Sequence, residues 1–222
     1  MRIALLGGTG DIGQALALRW ARDTDHEILV GSRDPERARG KAEEYETELD
    51  SVGVERTVKG FGNEMAADRA DVVVLAVPAY HVRDTIESVA DRITDADVLV
   101  TPAVGMKRDD DGFHYKPPKA GSVTELVADT APDGVPVVGA FHNLSADRLA
   151  NLDVELDLDT LVVGDNDDAV DIVVTLAEQI EGLRALSAGG IANAAEVEGL
   201  TPLLINIAME NEGMHDVGVK FE

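Results

Sequence analysis

The segment Gly8-Thr9-Gly10-Asp11-Ile12-Gly13 fits the spacing Gly-x-Gly-x-x-Gly. It directly follows the apolar run RIALLG at 2–7 and opens a helix-patterned stretch, Asp11–Arg22. A glycine loop between a strand and a helix is the setting that cradles a pyrophosphate. Each glycine has a task there: Gly8 makes the tight turn, Gly10 lets the backbone approach the phosphates, and Gly13 lets helix pack on strand. Thr9, Asp11 and Ile12 complete the loop. The helix start supplies free N–H groups and the positive end of its dipole to the anion.

A second group of residues bears on which dinucleotide is held. NAD-binding chains place Asp or Glu about 20 residues further on, against the ribose 2′-hydroxyl. This chain has Gly31-Ser32-Arg33 there, with Arg37 one turn along the next helix. A hydroxyl and two guanidiniums suit a 2′-phosphate through charge-assisted hydrogen bonds, which favours NADP(H) over NAD(H). The competing readings are Asp34 as a ribose ligand rather than a helix cap before Pro35, and Arg33 and Arg37 as solvated surface charge. Val77 and Pro78 end the run DVVVLAVP, where a nicotinamide ribose would lie beyond the strand C-termini; plain strand termination explains them equally well. His81 follows closely and can approach the same place, or simply start a helix.

These residues need a scaffold to hold them. Apolar strands are expected at 2–7, 26–31, 71–78 and 97–101, with a weaker one at 54–59. Helices are expected at 11–22, from Asp34-Pro35 to about Leu49, from Gly62-Asn63 to about Arg69, and at 79–93. Such alternation implies right-handed crossovers and a mostly parallel sheet. Pro102–Gly121 interrupts it with Asp109–Gly112 and Lys116-Pro117-Pro118, and reads as a long surface loop or lid. Ser122–Ala131 is a helix with Ser122 and Glu125 forming a capping box. Strands follow at 135–139, 161–164 and 183–187, with helices at 165–180 and from about Asn193 to Glu210. The fold class is α/β: a Rossmann-type, doubly wound, mostly parallel sheet with a small C-terminal α/β part. The expected division is 1–142 for dinucleotide binding and 143–222 for the remainder.

The chain has 222 residues, enough for one large domain or one domain with an appendage at roughly 100–200 residues each. It carries 43 acidic against 19 basic residues, a formal charge of -24. That balance argues against nucleic acid and against an anionic membrane surface as partners. With no cysteine there is no disulfide, thiolate nucleophile or cysteine-ligated metal, and the five histidines lack metal-site spacing. The opening apolar run is too short for a signal-peptide core or a membrane span, so a cytoplasmic location is expected. The acids are spread along the chain, as in Asp95-Ala96-Asp97 and Asp165-Asn166-Asp167-Asp168. Self-repulsion of this size weakens a fold in dilute buffer and is screened at molar salt, where the Debye length is about 3 Å. A high-salt cytoplasm is the expectation.

On RIALLGGTGDIGQALALRWA, HEILVGSRDPERA, DVVVLAVPAYH, VGAFHNLSADRLANLD, IEGLRALSAGGIANAAEVEGLTPLLINI and GMHDVGVKF, the chain resembles the coenzyme F420-dependent NADP reductases from Met1 to Glu222. The resemblance implies reversible hydride transfer between NADP(H) and the deazaflavin coenzyme F420. It implies that Thr9, Ser32, Arg33 and Arg37 contact the NADP phosphate. It also implies that Pro78, Val104, His142, Leu144, Thr201, Pro202 and Met214 wall the deazaflavin and nicotinamide pocket. Asn143-Leu144-Ser145 and His215-Asp216 depart from the family pattern of Thr-Ile-Pro and Gly-Glu. No catalytic acid–base residue is implied, because hydride passes directly between stacked rings. The family usually dimerises, and LTPLLINIAM at 200–209, apolar nearly all round, must be buried within the subunit or against a second copy. Pro202 is expected to start that helix or kink it. Two other functions fit the dinucleotide motif: an NADPH-dependent reductase of another small substrate, and a non-catalytic NADP(H)-sensing module.

Overall fold

The apolar run after Met1 forms β1 (Arg2–Leu6), and its residues 3–6 are wholly enclosed. A strand buried on both faces must lie inside a sheet covered on each side. The computed structural model, which describes residues 1–222, places it there. The chain continues as α1 (Asp11–Asp23), β2 (Glu27–Ser32), α2 (Pro35–Ser51), β3 (Val58–Gly62), α3 (Asn63–Ala67), β4 (Val72–Leu75), α4 (Val82–Val89) and β5 (Val98–Thr101). Then come β6 (Met106–Asp109), β7 (Gly112–Tyr115), α5 (Val123–Thr130), β8 (Val137–Gly139), α6 (Ala146–Ala150), β9 (Leu158–Gly164), α7 (Asp167–Glu178), β10 (Leu183–Ser187) and α8 (Ala194–Glu210).

The main sheet has the order β10-β9-β8-β5-β4-β1-β2-β3. Strands β8 to β3 in that order are mutually parallel; β9 is antiparallel to β8, and β10 is parallel to β9. This is the doubly wound Rossmann-type arrangement, with a reversed pair of strands at one edge. Alternate residues of the strands feed two cores. Ile3, Leu5, Val72 and Val74 join residues of α1, α2 and α7, while Ala4, Leu6, Val73 and Leu75 join residues of α3, α4 and α5. Trp20 of α1 anchors the first core: its indole N–H donates to the Leu176 carbonyl at 2.8 Å, and its ring meets Phe141 edge-on. The sheet runs without a break across residue 142.

Several elements differ from the sequence expectation. The third strand begins at Val58, not Val54, because the Val54 N–H is engaged in closing α2 on Leu49 and pairing with β2 starts at Ile28–Val58. β9 starts three residues before the expected 161, held by its register with β10, Leu158 opposite Leu183. The stretch read as a long loop contains the hairpin β6–β7. Asn206 of α8 ties it down: its Oδ1 accepts the Phe113 N–H at 2.8 Å and its Nδ2 donates to the Phe113 carbonyl at 2.7 Å. Pro202 lies inside α8, which begins eight residues earlier at Ala194, so it does not start the helix. No helix is long and apolar enough to cross a membrane.

Candidate functional site

Chain order reverses beside β1: β2 and β3 lie on one side, β4 and β5 on the other. The loops leaving β1 and β4 meet at the carboxyl edge of the sheet, the crevice where open α/β sheets bind ligands. They touch there, since a Cβ on Gly7 would come within 2.4 Å of Val77 Cγ1. Gly7 has φ +75°, so the left-handed turn falls on Gly7 rather than on Gly8, where the motif had placed it. Gly8 is bare for a different reason: a Cβ would sit 2.7 Å from the Leu5 carbonyl oxygen. Gly13 allows the close approach expected of it, because a Cβ would meet Gly8 Cα at 2.6 Å. Gly10 is unlike both. A Cβ there meets no protein atom nearer than Gly7 O at 3.5 Å, so the fold itself does not require the glycine. Gly10 also begins α1 with no side-chain cap, and the N–H groups of Asp11, Ile12 and Gly13 have no acceptor in the chain. Bare backbone, free N–H groups and a helix start fit an anionic ligand.

A pocket of about 380 Å³ opens over this loop, lined among others by Thr9, Gly10, Ser32, Arg33, Arg37, Asn63, Val77, Pro78 and His81. On α2, Arg39 and Lys41 pair with Glu36 and Glu44, whereas Arg33 and Arg37 face the pocket without an acidic partner. Asp34 accepts the N–H of Glu36 at 3.0 Å and that of Arg37 at 3.4 Å. Its carboxylate is therefore used as the cap of α2. Tyr45, from the same helix, donates its hydroxyl to the Gly8 carbonyl at 2.7 Å. Burial pushes that hydroxyl's pKa up, so it stays a neutral donor that pins the loop from behind.

A second, larger cavity of about 930 Å³ lies against α8 and is mainly apolar. Its walls are Asn143–Asp147, the α8 side chains Thr201, Leu204, Ile205, Ala208 and Met209, and the segment Asn211–Val217. Ser145 donates its hydroxyl to Asp216 Oδ1 at 2.6 Å, joining two of the walls. The chain reaches this cavity through Phe141, a bulky residue at φ +66°. Such a conformation costs of order 1–3 kcal/mol and persists only where the surroundings enforce it. Next to it His142 is buried, with neither ring nitrogen partnered. Burial pushes its pKa down to about 3, so the imidazole is neutral near pH 7 with one donor and one acceptor unused. Thr201 donates to the His142 carbonyl at 2.7 Å. One turn earlier on α8, the enclosed Glu198 accepts from the N–H groups of Val123 and Thr124 and from the hydroxyls of Thr124 and Tyr115, between 2.9 and 3.0 Å. This clamp fixes α8 to α5 and to the hairpin.

The structure thus gathers Thr9, Gly10, Ser32, Arg33, Arg37, Val77, Pro78 and His81 around the first pocket. Gly8, Asp11, Ile12 and Gly13 belong to the same loop and helix start but are not among its lining residues. Leu144, Thr201 and Met214 line the second cavity, while Val104, His142 and Pro202 line neither. Sequence reasoning passed over Gly7, Tyr45 and Asn63. The pair Gly62-Asn63 reads in the sequence only as a helix start, and nothing local shows that β3 delivers Asn63 to the end of β2.

The family described as "NADP oxidoreductase coenzyme F420-dependent" matches residues 2–105. The F420-dependent NADP reductase of Methanothermobacter thermautotrophicus is 38% identical over 224 residues, spanning 99% of this chain and 94% of that protein. The F420-dependent NADP reductase of Methanocaldococcus jannaschii is 36% identical and spans 96% of each. A crystal structure from an Arthrobacter species has a TM-score of 0.77 at 24% identity, covering 95% of this chain and 94% of that one, a likeness of fold.

Proposed function

The chain belongs to the coenzyme F420-dependent NADP oxidoreductase family, and from that premise we propose how its residues divide the task. The protein is an enzyme that moves a hydride reversibly between NADP(H) and coenzyme F420. When bound, the two coenzymes supply the redox chemistry themselves, so the protein needs to bind, orient and exclude water. In our reading the N–H groups of Asp11, Ile12 and Gly13 receive the pyrophosphate, over a Gly10 that leaves room for it. Ser32, Arg33 and Arg37 receive the 2′-phosphate, and Thr9 closes the rim. Val77, Pro78 and His81 carry the nicotinamide end. Leu144, Thr201 and Met214 form the deazaflavin side, so residues 143–222 act as the part that completes that pocket.

The observation that carries the reading is the pair of unpaired guanidiniums, Arg33 and Arg37, lining a pocket in a chain of charge -24. Two unpaired cations converging on one pocket suit an anion there. The test is steady-state reduction of F420 with each nucleotide. NADPH should support turnover with a kcat/KM at least about a hundredfold above that of NADH, as expected for several charge-assisted contacts to one phosphate. Equal values contradict the assignment.

We also propose a homodimer, because Leu203 and Met209 of the apolar α8 are each 52% exposed in the single subunit, which supports a second copy over that face. We place the enzyme in a cytoplasm of high salt, on the strength of the distributed acidic excess.

A further inference from the structure

Asn63 opens α3, one residue past β3, and its side chain serves nothing in the fold. It is 9% exposed. The cap position of α3 is held by Gly62, and the Asn63 Oδ1 accepts from none of the helix N–H groups, so the amide does not cap the helix. Its Oδ1 is enclosed with no donor in reach. Its Nδ2 also donates to no group of the protein. An enclosed, unpartnered amide costs stability, and such groups in folded proteins call for an explanation.

The position supplies one. Asn63 lines the pocket shared by Thr9, Ser32, Arg33 and Arg37. Its Oδ1 lies against Gly31, where an added Cβ would come 2.9 Å from it. The amide therefore reaches across the end of β2, beside the residues that choose between the two nucleotides, and the NH2 edge is the one left for the pocket. The residue type points the same way. Asp is nearly isosteric and favours the first turn of a helix through the dipole. This chain carries 43 acidic residues, yet it places the neutral donor here. A carboxylate would repel a bound phosphate; an amide N–H is attracted to it.

We propose that Asn63 is a specificity-determining residue, donating a hydrogen bond to the 2′-phosphorylated ribose of NADP(H) and adding an uncharged donor to Ser32, Arg33 and Arg37. The inference rests on the reading of this pocket as the NADP(H) site. It assigns to Asn63 a role in choosing NADP(H) over NAD(H), separate from any role in holding the fold.

The experiment compares Asn63→Ala, Asn63→Asp and Arg33→Ala with the unmodified enzyme, measuring kcat/KM for NADPH and for NADH at saturating F420. NADP+ dissociation constants are measured by titration and melting temperatures in parallel. Asn63→Ala should lower kcat/KM for NADPH about tenfold and weaken NADP+ binding to match, while NADH changes less than about twofold. Asn63→Asp should cost more with NADPH, again with little effect on NADH. Asn63→Ala should not melt below the unmodified enzyme, because no protein hydrogen bond is lost. Asn63→Asp encloses a charge, should melt lower, and is judged by the ratio of its effects on NADPH and NADH. If both Asn63 variants lose equally with the two nucleotides, or lose nothing, while Arg33→Ala remains selective against NADPH, the proposal fails and the pocket reading stands. If Arg33→Ala is also unselective, both fall together.

Discussion

Gly10 and Gly13 stand three residues apart in one loop, and the same substitution should act on them in opposite ways. Gly13→Ala drives a Cβ to 2.6 Å from Gly8 Cα, an overpacking that costs about 1–3 kcal/mol. Gly10→Ala meets no protein atom closer than 3.5 Å, so its stability cost stays within about 1 kcal/mol, that of a weaker helix cap. Its NADPH affinity should nonetheless fall by about tenfold or more, since the new methyl occupies the ligand's side of the turn. Thermal melts and nucleotide titrations of the two variants check this together. His142 gives a pH signature. Burial holds its folded pKa at about 3, against about 6.5 when unfolded. Below about pH 6.5 the unfolded chain takes up the proton first, so stability is lost as pH falls, by up to about 1.4 kcal/mol per unit until about pH 3. Denaturant melts of His142→Gln should fall less steeply than those of the unmodified enzyme between about pH 6 and pH 4; parallel slopes contradict the buried neutral imidazole. At this scale the glycine motif, Ser32, Arg33 and Arg37 were legible because their chemistry follows from neighbours in sequence. Tyr45 and Asn63 were not, because each acts through where a later element sets it down.

Among the elements, β1, β2, β4 and β5 were readable because each is an apolar run of its own, whereas β3, VKGFG, is not and its start was displaced. The hairpin β6–β7 was not. Its strand β6 is exposed throughout, and what orders it is the side chain of Asn206, a partner 93 residues from Phe113. The C-terminal segment depends on distant partners in the same way. Asp159, enclosed within β9, accepts from Arg184 at 2.8 and 2.7 Å and from the Phe221 N–H at 2.6 Å. The Asp159 N–H in turn donates to the Val219 carbonyl at 2.9 Å. The Arg184 guanidinium holds the Asp159 carboxyl below the usual carboxylate range. Its stabilising effect is present above the ordinary carboxylate pKa and is lost as pH falls through the lowered folded value. Arg184→Met should speed hydrogen exchange at Val219–Phe221 at neutral pH. Because the preceding segment Asn211–Val217 walls the second cavity, the KM for F420 should rise while that for NADPH holds. A rise in both, or in neither, contradicts the view that this wall serves the deazaflavin.

For the molecule as a whole, the charge of -24 sets the expected response to its surroundings. Screening shortens from about 10 Å at 0.1 M salt to about 3 Å at 1 M, which removes most surface repulsion and leaves close contacts such as a bound phosphate. The melting temperature should climb strongly across that range, and a flat response contradicts a high-salt adaptation. The acid excess was visible in composition alone, and that Arg33 and Arg37 go unpaired within it is seen only in the folded chain. In the proposed function hydride passes directly between two coenzymes that this chain aligns, with no acid–base residue taking part. The most direct test is to mix the protein anaerobically with oxidised F420 and NADPH bearing deuterium at the transferable C4 position. The visible deazaflavin band should bleach and the deuterium should be recovered on the reduced deazaflavin ring; no bleaching, or loss of the label to solvent during turnover, would contradict direct transfer.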